Sequence, residues 1–579
     1  MFTNLVNSLS YLQDNDRGLH PLIKMIFFQN KLHPLFYTIV ALILFSCNFK
    51  SQKADLILHN AVALTCDGSD QQVTPLAIAI LDGVIIATGP ERAILNSFKS
   101  NHKIDLKQAV IYPGFIDAHA HFTGYALSLL TVDLVGTTSY KDVLNRVELF
   151  AEDHPSGWIT GRGWDQTDWS TATFPTLTLL DELFPSRPVA IRRIDGHALL
   201  ANSAALKLAG LSKTRQIKGG EMLTFNDGTP TGVLIDGAAD SLIAIIPPLD
   251  TKLKISALIE AEKHLFARGL TSIVDAGLDV SDIQLIDSLH KSGTLSIRVV
   301  AMASGTHPNL DSTFAIGPFV TDRLIARSLK FYMDGSLGSR GAALLEPYTD
   351  RPDHKGFIFQ DPDVFYNDLT RADELGFQVA THCIGDSAVR NVLNIYNDIL
   401  GGHNDKRWRI EHAQVVTPED LPLFSSASII PSVQPTHATS DMYWAGERLG
   451  RNRIRHAYAY NDLEQVLGLL PLGTDMPVED IDPIKTFYAA TIRKDSHGFP
   501  KDGYHTDQSL SRQSALNGMT LWAAIANFQD ESLGSLEVGK WADLVILDRN
   551  LLTSPPESIL DTKILRTFVA GIETYNSEK

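Results

Sequence analysis

The sequence predicts an α/β protein: a (β/α)8 TIM barrel, a small flanking β-sandwich built from both chain ends, and a subdomain inserted after the first barrel strand. Three observations lead there. Eight apolar, β-branched runs alternate with helical stretches, the pattern of a parallel sheet whose strands are buried on both faces. Polar and ionisable residues gather where these runs end, as they do at the C-terminal mouth of such a barrel. Outside the eight runs, similar strand-like segments recur near the two ends of the chain.

The chain begins with a leader, residues 1–47. Leu35 to Ser46 carries no charge, and Lys24 and Lys31 precede it. A basic flank before a short apolar run is the pattern of an export signal, and the run is short for a membrane span. Leu44-Phe45-Ser46-Cys47 resembles a bacterial lipoprotein box, with Phe45 a poorer fit than a small residue. The expectation is an exported protein anchored to the membrane by lipid at Cys47, facing the periplasm or cell exterior. An uncleaved anchor and a cytoplasmic protein are the alternatives. The extra segment Met1 to Ile23 points to a translation start at Met25. The three cysteines, at 47, 66 and 383, are too few for a disulfide framework. Cys66 reads as a buried strand thiol. Cys383, next to His382, belongs on the opposite strand face.

Residues 54–109 and 531–579 form the sandwich. Ala54-Asp55-Leu56-Ile57-Leu58 is echoed by Ala542-Asp543-Leu544-Val545-Ile546-Leu547, and Asp82-Gly83 between two apolar runs signals a hairpin. Residues 110–530 form the barrel. Its strands are Val110 to Asp117, Leu270 to Asp275, Ser296 to Met302, Ser328 to Met333, Phe377 to His382, Trp408 to His412, Ser428 to Val433 and Leu469 to Thr474. Roughly 150 residues separate His121 from Leu270, far more than one crossover needs. About residues 123–265 therefore read as an insert over the barrel mouth, with strands Gly157 to Gly163 and Pro188 to Ile194 and a helix Ala198 to Ala209.

Composition narrows the function. A chain that is 44% hydrophobic and 20% charged can bury a large core, which excludes wholesale disorder. A net charge of -17 argues against a nucleic-acid partner, because such proteins need a basic face to displace phosphate counterions. A small molecule is the expected substrate.

The chemistry gathers at the strand ends. In Pro113-Gly114-Phe115-Ile116-Asp117-Ala118-His119-Ala120-His121, residues 117, 119 and 121 share one strand face, so both imidazoles can reach one metal ion. His382 closes the fifth run and His412 the sixth. Asp475 ends the eighth, as a turn or cap aspartate or as a carboxylate that moves a proton between bound water and a leaving nitrogen.

His-x-His on strand one, histidines on strands five and six and aspartate on strand eight resemble the amidohydrolase superfamily, over roughly residues 54 to 575. Gly161-Arg162-Gly163-Trp164-Asp165, Asp195-Gly196-His197, Pro230-Thr231-Gly232-Val233 and Asp334-Gly335-Ser336-Leu337-Gly338-Ser339-Arg340 resemble the family 3 branch that contains N-substituted formamide deformylases. The resemblance implies hydrolysis of a non-peptide C–N bond by a metal-bound hydroxide, with one or two divalent ions, zinc by preference. His119, His121 and Asp475 would hold one ion, His382 and His412 the other. Lys330 would bridge them as a carbamate, or else pair with a carboxylate such as Asp334. His197, Arg340, Gln434 and His437 are candidate substrate contacts. Two other readings stay open: a cyclic-amidine deaminase, whose His-x-x-Glu is absent after His382, and a metal-free lipoprotein that only binds solutes.

Overall fold

The structure, a computed structural model, describes residues 51–66, 76–212, 219–247 and 250–579. The leader 1–47, with Met25 and Cys47, lies outside the described residues. No helix among the described residues is long and apolar enough to cross a membrane.

A curled parallel sheet organises the protein. Its strands run in the order Phe115–Asp117, Leu270–Leu278, Arg298–Ser304, Leu324–Tyr332, Gln378–Cys383, Arg409–His412 and Ile430–Ser432, each parallel to its neighbour. The eighth apolar run forms no regular strand. It bridges the two edges through a few hydrogen bonds: Val433 N–H donates to Pro471 O and Gly473 N–H to Val433 O on one side, and Ala118 N–H donates to Leu472 O on the other.

Both faces of the sheet are dry, which is why its strands read as continuous apolar runs. Val274, Ala276, Val300, Met302, Ile325 and Ala380 form an inner cluster. Leu258, Ile286, Leu369 and Val392 belong to the large core in which helices cover the outer face. Each of the leucine, isoleucine, valine and methionine side chains contributes about 1.5–3 kcal/mol on burial. Arg409, fully buried, ties the far strands to the first: its guanidinium donates to Ala118 O at 2.6 Å, Ser432 Oγ at 2.8 Å and Asn527 Oδ1 at 3.0 Å.

Two further sequence expectations need correction. The run Val110 to Asp117 is two strands. Val110–Pro113 pairs with Leu544–Leu547 and Leu56–Ala63, whereas Phe115–Asp117 joins the parallel sheet. The chain changes sheets at Gly114, whose N–H donates to Asp543 O. The expected helix Ala198 to Ala209 begins as a strand, Ala198–Ala201, paired on both sides and wholly buried. Only after Asn202, which caps Ala205 N–H through its side chain, does the helix Ser203–Leu208 start. Tertiary pairing overrides the helical propensity of an alanine- and leucine-rich stretch here.

The two chain ends meet in one sheet, in the order Ile572–Asn576, Ile564–Val569, Leu544–Leu547, Val110–Pro113, Leu56–Ala63, Leu76–Leu81 and Val84–Pro90. The last two strands flank Asp82-Gly83, where the hairpin was expected. Within the insert lies a separate sheet, in the order Gly220–Thr224, Pro230–Asp236, Ala198–Ala201, Val189–Arg193, Ile159–Trp164 and Val132–Asp133. It has its own core around Trp164, Val189 and Ile191.

Candidate metal centre

His119 and His121 do not share a strand face with Asp117. The strand stops at Asp117, and both histidines lie in the turn that follows. Asp117 instead accepts from Thr474 N–H at 2.9 Å, Thr474 Oγ1 at 2.6 Å and His119 N–H at 3.2 Å. It thereby binds this turn to the segment carrying Asp475. Gly473 makes that approach possible, since a Cβ there would lie 2.5 Å from His119 N. Asp475 and His412 both adopt left-handed backbone, with φ of 59° and 72°. Such strain costs roughly 1–2 kcal/mol per residue and collects at functional sites.

The side chains converge. Asp475 Oδ1 lies 3.4 Å from His119 Nε2 and 3.2 Å from His121 Nε2. The His412 ring is 4.9 Å from that of His119 and 4.5 Å from that of His382, centroid to centroid. Lys330 Nζ is 3.2 Å from His119 Nε2. Asp334 is not its partner, for that carboxylate accepts the N–H groups of Ala343, Ile384 and Gly385.

Three of the four imidazoles are aimed by a group behind them, whereas His382 has its Nε2 3.5 Å from Gly335 O. His119 Nδ1 meets Glu411 Oε2 at 2.5 Å, His121 Nδ1 meets Ala276 O at 2.9 Å and His412 Nδ1 meets Gln434 Oε1 at 2.7 Å. With Nδ1–H donating outward, Nε2 keeps its lone pair for the shared space, the arrangement metal-binding histidines use. Burial pushes the His382 and His412 imidazoles well below the ordinary histidine value, so they stay neutral. Burial also brings Lys330 down to about 8. It works against the Asp475 and Glu411 carboxylates, yet cationic and imidazole neighbours more than offset it. Asp475 is held well below the usual carboxylate range by His119, His121 and His437, and Glu411 at about 2 chiefly by Arg409.

This donor set fits a divalent cation. Asp475 Oδ1 is buried with no hydrogen-bond donor, although it faces two imidazole nitrogens. Imidazoles and a carboxylate whose ligand atoms lie within 4.8 Å of one another, as in His119, His121 and Asp475, are the ligands such ions take.

A family model for amidohydrolases matches residues 103–575. The chain belongs to the amidohydrolase family. Protein LONG AFTER FAR-RED 3 of Arabidopsis thaliana is 32% identical over 90% of this chain and 92% of its own length. N-substituted formamide deformylase of Arthrobacter pascens is 25% identical over 91% of this chain and 99% of its own. The crystal structure of a metal-dependent hydrolase from Pyrococcus horikoshii OT3 shares 28% identity, with a TM-score of 0.71, covering 86% of this chain and 99% of that one. This amidohydrolase is a metal-dependent hydrolase.

Its centre opens into a cavity of about 1420 Å³ walled partly by the inserted sheet. Two of the four expected substrate contacts line it. His197 is held by Asp236 at 2.7 Å. His437 places Nε2 3.4 Å from Asp475 Oδ2, while Glu479 holds its Nδ1 at 3.1 Å. The other two do not line it. Arg340 turns away and ion-pairs with Asp350 at 2.8 Å. Gln434 is spent on His412. Cys383 packs into the hydrophobic core behind His382. Sequence reasoning missed Glu411, Asp236 and Glu479. Glu411 had a usable signal, since it stands beside His412 in an apolar strand, where a lone carboxylate needs a buried partner. Asp236 and Glu479 carried none.

Proposed function

We propose that this amidohydrolase cleaves a non-peptide, amide-type carbon–nitrogen bond in a small molecule. The observation that carries the reading is the convergence of His119, His121 and His412 on Asp475, whose Oδ1 has no donor of its own, with the His382 ring 4.5 Å from that of His412. These residues would hold a divalent ion, zinc by preference, and a second ion if Lys330 carries a carbamate. A bound ion supplies carbonyl polarisation and a water that ionises near pH 7, by about the usual metal-induced lowering.

The chain's own groups do the rest. Asp475 accepts the proton of the attacking water on its carboxylate and returns it to the departing nitrogen. His437, braced by Glu479, fixes Asp475 through Oδ2. His197, braced by Asp236, faces the substrate from the insert. The formamide specificity named for the Arthrobacter relative supports an amide substrate. A deaminase-type glutamate three residues after His382 has no room here: that position is Gly385, where a Cβ would lie 2.0 Å from Ala343 O. In the same reading the curled sheet is a closed (β/α)8 barrel, supported by the hydrogen bonds from residues 471–475 to both edges. Residues 1–47 form the export leader, and Cys47 carries the lipid.

The test is metal analysis of the full chain beside a screen of N-formyl, N-acyl and cyclic amides. Bound divalent ion and amide hydrolysis, both lost in His119→Ala, are expected. Full amide hydrolysis by a metal-free preparation would overturn the proposal.

A further inference from the structure

Most charged side chains in the cavity wall are already paired. Arg193 donates to Asp165 and Asp195 at 2.6 and 2.7 Å. Arg268 meets Asp482, Lys485 meets Asp480, His197 meets Asp236 and His437 meets Glu479. Arg162 and Arg192 differ. Both line the cavity, and among the described residues no carboxylate comes within ion-pair distance of either.

Their placement follows from the inserted sheet. Ile159–Trp164 and Val189–Arg193 run parallel with Arg162 opposite Arg192. Neighbouring strands lie about 4.8 Å apart, so the two side chains leave the same face side by side. Ile159, Val189 and Ile191 alternate with them and point into the core beneath. The Arg162 guanidinium lies against Gly196 and donates to Ile194 O at 2.8 Å, while its Nε is buried with no acceptor. Like charges at paired positions of a sheet are destabilising. Burial, and then the charge of Arg192, push Arg162 down to about 10. Asp195 and Asp240 attract Arg192 from a distance, but Asp195 is taken up by Arg193, His197 N–H and Ser336. Asp240 attracts Arg192 and Asp475 attracts Arg162 only from beyond ion-pair distance, whereas an oxyanion between the two guanidinium groups would satisfy both forks at once.

We propose that Arg162 and Arg192 form the substrate-anchoring subsite, so that the amide cleaved here carries an anionic group, a carboxylate or a phosphate, at the end away from the scissile bond. Tyr332 lies between the two regions: its ring is 5.4 Å from that of His382, and it lines the same cavity as both arginines. One small molecule can therefore place its anion on the inserted sheet and its amide at the histidines. The subsite also accounts for the insert, since the parallel sheet supplies the histidines and the insert supplies the guanidinium groups. This inference rests on the hydrolytic reading of the cavity, and binding is measured apart from turnover so that the two fail separately.

Calorimetric titration of the metal-loaded full chain would use three probes: N-acetyl-β-alanine, the phosphate ester of N-acetylethanolamine, and neutral N-acetyl-β-alanine amide. At least one anionic probe should bind tenfold or more tightly than the neutral one, and which anion binds better identifies the group. Arg162→Gln and Arg192→Gln should each erase that preference while leaving the neutral probe unchanged, and Arg192→Lys should keep part of it. For any anionic amide that turns over, the glutamine variants should raise KM tenfold or more with kcat largely kept. Equal binding of all three probes by the wild-type protein, or an anion preference that survives both glutamine variants, would overturn the subsite. Anion binding without hydrolysis would leave the subsite standing and count against the proposed reaction alone.

Discussion

Glu411→Gln tests how the centre is held together. The Glu411 carboxylate touches His119 Nδ1 at 2.5 Å and ion-pairs with Arg409 at 2.6 Å, and all three side chains are fully buried. As a carboxylate it can only accept, so His119 must carry its proton on Nδ1 and offer Nε2 toward Asp475. Glutamine keeps the shape but adds a donor. Turned one way it still accepts; turned the other way its NH2 favours an unprotonated Nδ1 and blocks Nε2 with a proton. Losing a partner of this kind typically weakens metal binding or activity by about 10–100-fold, or roughly 1.4–2.7 kcal/mol. Arg409 also loses its counter-charge in a dry site, so Tm should fall as well. Metal affinity, read by competition with a chromophoric chelator, should drop by that factor, and excess divalent ion should restore much of the activity. Unchanged metal affinity together with lost activity would refute the reasoning, because Glu411 would then act on the reaction and not through His119.

Three further outcomes follow from the same geometry. Asp475→Asn should keep most of the metal, since four imidazoles remain, while amide turnover falls by about 10²–10⁴-fold and activated esters suffer less; near-normal amide turnover would show that another group moves the proton. Burial holds the His290 imidazole down to about 4 from its ordinary 6.5, with one nitrogen on Ile297 O and Nδ1 buried without a partner. The unfolded chain therefore takes up that proton first, and stability should fall as pH drops from about 6.5 towards 4, by on the order of 3 kcal/mol, and level off below. His290→Gln should flatten this part of a urea-midpoint profile, and an unaltered slope would assign it elsewhere. Mature protein should begin at Cys47 and partition with membranes, with lipid attachment lost in Cys47→Ala; unprocessed chain in the cytosol would reject the leader reading.

The strand ends were legible in the sequence because their signals are local. His119, His121, His382, His412 and Asp475 each close an apolar run, and a parallel sheet brings such ends to one edge whatever the details of its helices. The run Val110 to Asp117 was misread because apolarity alone cannot say which of two sheets a residue joins. The helix expected at Ala198 failed for a similar reason, since pairing with Val189–Arg193 and Pro230–Asp236 is invisible in local propensity. Arg340 looked functional because of the phrase it sits in, but Asp350 claims it.

The sequence by itself determined the residue types that meet at the centre, because metal ligation demands imidazoles and a carboxylate and leaves their spacing as a trace along the chain. Only the tertiary structure decided which groups stand behind them and which charges stay unpaired. Glu411 behind His119 is set by how the sheet curls to bring a distant strand against the turn after Asp117, while Asp236 behind His197 and Arg162 beside Arg192 are set by pairing between strands, across separations of 292, 39 and 30 residues respectively. Hydrogen bonds and charge repulsion act over a few ångströms of space, and distance in space is what a linear sequence does not record.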